Sequence, residues 1–107
     1  MIDPGRLNRR LVLETPVETP DDAGGVTRAY SDVATLWAEV TPVATRSDVE
    51  AESAGATVTH RIRVRVGQAI TTRHRLRLDA RVFRIVSVRE HDRSGRFLDI
   101  HAEERAD

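Results

Sequence analysis

The sequence contains no cysteine and no lysine, and it carries no net charge. Its 107 residues include 17 basic residues, all of them arginine, and 17 acidic ones. Without cysteine, the chain has no disulfide framework, no thiolate metal site and no cysteine nucleophile. The zero net charge argues against nucleic-acid binding driven by the charge of the whole protein. A local basic face that binds nucleic acid is still compatible with a zero net charge. We expect a single domain over residues 1–107 with one small core.

Long apolar runs and nucleotide-binding or nucleophile motifs are also missing. No run of about 18 apolar residues occurs, so we expect no association with a membrane. The sequence contains no GxxxxGK[ST], GxGxxG or GxSxG motif. The double glycine Gly24-Gly25 precedes a predicted strand and not a helix, which favours a turn over a phosphate cradle.

The histidines and paired acids offer little catalytic chemistry. The four histidines lie on different predicted strands or strand ends: His60, His74, His91 and His101. None of them has the short local spacing that is common in metal sites. The acid pairs at 50 and 52 and at 103 and 104 lack an apolar setting that would raise a pKa. We therefore predict no metal, no cofactor and no enzyme, with a small metal-dependent enzyme using the histidines as the weaker alternative.

Apolar and polar residues alternate along most of the chain, as is typical of half-buried β-strands. The clearest case is TVTHRIRVRV, residues 57–66, in which Val58, Ile62, Val64 and Val66 share one face. Two prolines and the double glycine predict a loop over residues 16–25. Further strands are predicted at 9–14, 26–30, 35–43, 74–79, 81–90 and 97–103. The pattern predicts an all-β fold, a small antiparallel β-barrel of six to seven strands.

A polar insert interrupts this pattern at residues 44–56. Ser47 followed by Asp48, Glu50 and Glu52 is the only good helix signal in the chain. Val49 is the only large apolar residue between Ser47 and Glu52, so a helix here would have almost no face to bury. We predict a long loop or a short helix that lies over another surface, which need not belong to the same subunit.

Arginines line up on two of the predicted strands. Arg61, Arg63 and Arg65 share one strand face, and Arg75 and Arg77 share another. Like charges about 7 Å apart repel, so these side chains need acids, phosphates or water nearby. Two interpretations stay open: a solvated face paired with acids of neighbouring strands, or a surface for an acidic protein or a nucleic acid.

The single tryptophan, Trp37, also has two interpretations. It can fill the core or anchor an interface, because tryptophan dominates binding hot spots. Leu36, Ala38 and Val40 alternate against Trp37 and Glu39 in this strand, and we favour the core for Trp37.

The order of landmarks resembles a known family. GRLNRRLVLETP is followed by GGVTRAYSDVATLWAEVTPV, then by ATRSDVEAESAGATVTHRIRVRV, DARVFRIVSVRE and GRFLDIHAEE. This series resembles the head–tail joining proteins of tailed bacteriophages and gene transfer agents, the head-closure or stopper family. The resemblance covers about residues 5–104. It implies a small β-barrel located in the virion or phage-like particle.

The same resemblance implies a set of partners. Family members assemble as a ring, a hexamer or a dodecamer, beneath the portal and its adaptor. The ring closes the DNA-filled head and presents a platform for the tail terminator and other tail proteins. DNA passes through its channel without sequence specificity. In some members a loop projects into the channel, and its positional match here is residues 44–56.

The separated charges suggest how such a ring would hold together. Acids concentrate at 48–52 and 103–104, and arginines at 61–84, which suits binding to copies of the same chain. As channel-loop or intersubunit candidates we take Arg46, Asp48, Glu50 and Glu52, and as subunit-interface candidates Arg61, Arg63, Arg65 and Trp37. The candidate pairing is Asp48, Glu50 and Glu52 against Arg61, Arg63 or Arg65 of the next subunit. The rival function is an oligonucleotide-binding barrel, which would need aromatic stacking platforms.

Overall fold

Six antiparallel strands form a closed barrel. The computed structural model describes residues 4–43 and 57–105, and a 3-10 helix at Pro4–Arg6 precedes the first strand. The strands are β1 Arg9–Pro20, β2 Val26–Pro42, β3 His60–Arg65, β4 Arg75–Leu78, β5 Arg81–Glu90 and β6 Phe97–Arg105. Their order around the barrel is β1-β2-β3-β6-β5-β4, with β1 also pairing β4. The predicted all-β antiparallel barrel is confirmed.

The core lies inside the barrel and follows the predicted alternation. Ile62 and Val64 of β3 point inward, while Arg61 and Arg65 are exposed. Phe83 is the largest side chain with no exposed surface. The other members of the buried cluster come from the remaining strands and from β5: Leu11, Leu13, Ala38, Leu76, Leu78, Ile85, Ile100 and Ala102. One prediction is wrong here, because β3 ends at Arg65 and Val66 is 47% exposed.

The predicted loop over residues 16–25 is also wrong. β1 continues through Pro16 and Pro20 and stays paired with β2, and only residues 21–25 form the turn. Asp21 accepts hydrogen bonds from the amides of Ala23 and Gly25, at 2.8 and 2.9 Å. Proline is tolerated in β1 because this part of the strand has a partner on one side only, so a missing N–H need not disrupt a ladder.

The two long strands extend beyond the barrel as an arm. β1 pairs β4 only through Val12–Glu14, and β2 pairs β3 only through Ala38–Pro42. Residues 15–31 therefore form a two-stranded hairpin, which we call the arm, and the molecule measures 52 × 29 × 26 Å. A register shift opposite Leu13 and Glu14 leaves Val33 as a bulge where the arm meets the barrel. On its side away from β1, β2 has no partner strand among the described residues from 26 to 37, and we call this its open edge.

The polar insert and its predicted short helix, residues 44–56, lie outside the described residues. The ends that border it are close together, since the amide of Val43 donates to the carbonyl of Thr59 at 2.9 Å. No helix within residues 4–43 and 57–105 has the length and apolar character needed to cross a membrane.

Candidate functional site

The outer face of the barrel carries a lattice of arginines and carboxylates from neighbouring strands. Arg63 of β3 binds Asp99 of β6 on this face, and Arg81 of β5 binds Glu104 of β6 at the end of the barrel beside His60, each through two hydrogen bonds. Arg84 binds Glu103 at 3.2 Å. Most of these charges are therefore balanced within the chain, as the first interpretation of the arginines predicted. The acids at 103 and 104 are both paired with arginines of the same chain and are not a separate acidic patch.

The three arginines predicted on β3 differ in their surroundings. Arg63 is mostly buried and also lies 3.7 Å from Glu39, so its charge is satisfied inside the subunit. Arg65 stacks over the Phe97 ring, 5.6 Å from its centroid. Arg61 is exposed and makes no ion pair with any described residue. Among the described residues Arg61 and Arg65 thus have no acid partner, whereas Arg63 has two.

Hydrogen bonds fix the ionised state of the Arg63–Asp99 pair. Burial alone would raise the pKa of Asp99, but hydrogen bonds from Arg63 and His91 outweigh it and hold that pKa below its ordinary value. The Asp99 hydrogen bond in turn raises the pKa of Arg63. This part of the outer face remains a fixed ion pair across the physiological pH range.

A second cluster joins the arm to the barrel, and the sequence pattern did not reveal it. Glu14 is only 5% exposed and accepts hydrogen bonds from Arg75 at 2.6 Å and from Arg77 at 3.2 Å. The Arg75 guanidinium also lies 3.7 Å from the centre of the Tyr30 ring. Arg77 reaches Asp32 of β2 at 3.4 Å. The predicted Arg75 and Arg77 face is thus occupied by acids of the same chain.

His60 shows that a histidine on an apolar strand face can be structural. Its ring packs edge-on against Phe83, with 5.1 Å between ring centroids, and its Nδ1 lies 2.9 Å from the Thr59 hydroxyl. The pKa of His60 is lowered chiefly by burial, which Glu104 partly opposes and Arg81 reinforces. The neutral ring is therefore the form that this site stabilises.

We expect acid to weaken the barrel through His60. Because its folded pKa lies below that of the unfolded chain, the unfolded state binds the proton more tightly, and stability falls once the pH drops below about 6.5. The variant His60→Gln should lose less unfolding free energy over this range than the natural chain. Urea unfolding at several pH values measures both slopes, and the carboxylates common to both proteins cancel in the comparison. Equal slopes would contradict the assignment.

Trp37 lies on the surface, so the favoured prediction of a core position is wrong. The residue is 56% exposed because the inward positions of β2 are Leu36 and Ala38 on either side of it. Arg10 sits 5.7 Å from its ring. Its role as an interface anchor stays a prediction, as do those of Arg46, Asp48, Glu50 and Glu52, which lie outside the described residues.

Two of the grooves on the described part of the surface differ in their lining. One, of about 550 Å³, is lined mainly by uncharged side chains and includes Trp37 and Val66. The other, of about 510 Å³, lies between the arm and β4–β5, where acids partner four of its five arginines: Arg28, Arg75, Arg84 and Arg105. Arg73 alone in this second groove has no acid partner among the described residues.

The two alternative functions need particular sites, a metal centre or a row of aromatic rings that stack on bases. Within residues 4–43 and 57–105, no three histidine, aspartate or glutamate side chains are grouped to hold a metal ion. Phe83 and Phe97 are buried, and Arg75 lies over Tyr30, so these rings do not form a row of exposed stacking platforms.

The barrel, its arm and the paired charges of its outer face offer surfaces for contacts with other proteins. The model of the phage head completion protein family matches residues 2–105. The chain therefore belongs to the phage head completion proteins, a family of virion structural proteins and not of enzymes, and it associates with other head and tail components.

Two solved structures are similar over nearly the whole chain. A chain in the virion of a native gene transfer agent particle is 39% identical, with a TM-score of 0.66 over 92% of this chain and 94% of that one. A protein of Shigella flexneri 2a, solved in solution, is 28% identical, with a TM-score of 0.76 over 98% of both chains. No curated protein matches the chain.

Proposed function

We propose that the chain forms a ring of identical subunits at the head–tail interface, beneath the portal and its adaptor. The ring closes the DNA-filled head and provides the platform to which tail proteins attach. The observation that carries this proposal is the 39% identity, over 92% of the chain, to a chain of the gene transfer agent virion. A hexamer is the expected copy number, with a dodecamer as the alternative.

The surface of the barrel supports contacts between copies. Arg61 and Arg65 keep charges available beside a lattice that is otherwise neutralised within the chain. The acids of the insert, Asp48, Glu50 and Glu52, are the proposed partners of Arg61 in the next subunit. Opposite charges on different parts of one chain favour a head-to-tail contact, which closes into a ring when the rotation allows.

The double variant Glu50→Lys and Glu52→Lys tests this function. We expect heads that leak DNA or lack tails, because reversed charges would repel arginines of the neighbouring subunit. Particle yield and electron microscopy of the heads provide the measurement. The matched control is Glu90→Lys, a charge reversal at the exposed end of β5, which should leave the yield unchanged. Normal infectious or transducing particles from the double variant would refute the pairing.

A further inference from the structure

The groove beside Trp37 is a fork between two strands. β2 and β3 pair from Ala38 and Val64 onward, but on the other side of this pair they separate. The amide of Val66 donates to the carbonyl of Arg96 at 2.9 Å, which holds the chain after β3 on the β6 side. Trp37, Arg65 and Val66 are among the residues that line the fork.

The fork presents features that favour a protein strand as its occupant. Trp37 and Val66 are both about half exposed there. Along the same wall, the open edge of β2 offers backbone groups that no other described strand pairs. An exposed apolar edge of this kind is a template for pairing with another chain. β2 has no proline between Val26 and Thr41 to block such pairing.

The arm carries the complementary features. Val17 and Val26, 43% and 60% exposed, lie near its tip. Residues 15–31 contain three acids and one arginine, so the arm has a net charge of minus two. Arg65 lines the fork and Arg10 lies against Trp37, which makes the fork positive. Apolar side chains and opposite charges therefore match between arm and fork.

An arm cannot enter the fork of its own subunit. Val26 and Trp37 are eleven residues apart on one strand, β2. At about 3.3 Å per residue, they are separated by roughly 36 Å. The matching surfaces can meet only between two copies of the chain. Such a contact joins different patches on the two subunits, and repeated contacts of this kind generate closed rings or open filaments.

We propose that the fork receives the arm of a second copy, with Val17 and Val26 against Trp37 and Val66 and the arm's acids facing Arg65 and Arg10. This inference rests on the proposed ring and specifies which surfaces join its subunits. The contact uses described residues alone and is independent of the insert at 44–56.

Engineered cysteines test the contact directly, because the natural chain contains none. A disulfide needs Cα atoms within about 7 Å, so Val26→Cys with Val66→Cys should link only neighbouring copies. Under mild oxidation of the full-length protein, and in assembled particles, we expect a ladder of linked subunits ending at the closed ring. The control pair Val26→Cys with Ala80→Cys, in the exposed β4–β5 turn, should give no ladder.

Fluorescence of the single tryptophan provides a second readout. As the protein concentration rises, emission should shift to shorter wavelength when the arm covers Trp37. Val26→Asp should weaken self-association by about tenfold or more and remove the shift, whereas Ala80→Asp should do neither. Circular dichroism checks that both variants fold.

The outcomes separate this inference from the proposed function. If the variant with Val26→Cys and Val66→Cys forms rings or particles but no disulfide between these two positions under oxidation, the arm-in-fork contact is overturned and the proposed ring still stands. A chain that neither self-associates nor occurs in several contiguous copies in particles, measured by sedimentation of released complexes, would overturn both. A disulfide between the cysteine at position 66 and a different head or tail protein would also refute the proposal that a second copy of this chain occupies the fork.

Discussion

Replacing Phe83 with alanine should lower the free energy of unfolding by about 3–5 kcal/mol. The side chain has no exposed surface and is the largest of the fully buried ones. It also supports two neighbours, since the His60 ring packs on its face and the Arg81 guanidinium lies 5.2 Å from its centroid. A domain of this size has a total stability of about 5–15 kcal/mol, so the loss is between a fifth and all of it.

Thermal and urea unfolding followed by circular dichroism measure this loss. At roughly 4–8 °C per kcal/mol, the midpoint should fall by more than about 12 °C. The control is Val82→Ala, the preceding residue, whose side chain lies on the outer face and is only half-buried; it should cost less than about 1 kcal/mol. A similar small loss in both variants would show that the barrel interior is not the main source of stability.

The alternation of apolar residues was enough to predict the strands that face the barrel interior. Ile62 and Val64, or Leu76 and Leu78, are recognisable because one face of each strand is buried and the other is wet. The arm gave no such signal. Both of its faces are largely exposed, and Pro16 and Pro20 are normally strand breakers. The two prolines fit because that part of β1 pairs with a strand on one side only. Whether a strand has one partner or two depends on the path of the whole chain.

The partners of the arginines could not be predicted from local sequence. Arg63 meets Asp99 across 36 residues, and Arg75 meets Glu14 across 61 residues. Which acid lies opposite which arginine is decided by the register between strands, and a shift of one residue would turn each side chain to the other face. The sequence therefore left both interpretations of the arginine faces open, and the barrel realises the in-chain pairing at most positions.

Trp37 illustrates a different limit. Leu36 and Trp37 are both large and apolar, and adjacent residues of a strand point to opposite faces. Hydrophobicity alone would place the larger ring inside. The smaller Ala38, fully buried next to it, fixes the actual phase of β2. An exposed tryptophan in such a position is informative about contacts, because burial in the core no longer explains it.

Glu14→Ala should be the most damaging change on the outer face, with a loss of about 2–3 kcal/mol. Breaking a buried ion pair typically costs about 3–5 kcal/mol, since it leaves an uncompensated charge. The cost is smaller here because Arg75 and Arg77 are about one-third exposed, at 31% and 35%, and can still reach water. Asp32→Ala removes a 65% exposed partner of Arg77 and serves as the control, with an expected loss below about 1 kcal/mol.

Because of where Glu14 lies, its replacement should also affect the association between subunits. β1 and β4 close the barrel through only three residue pairs, and Glu14 opposite Arg75 is one of them. The arm begins at the next residue, so the same carboxylate anchors the arm to the barrel. We therefore expect Glu14→Ala to weaken self-association as well as folding, whereas Phe83→Ala should affect assembly only as far as it unfolds the chain. Sedimentation at a temperature where both variants are folded separates the two effects. Unchanged association of folded Glu14→Ala would show that the arm keeps its position without this anchor.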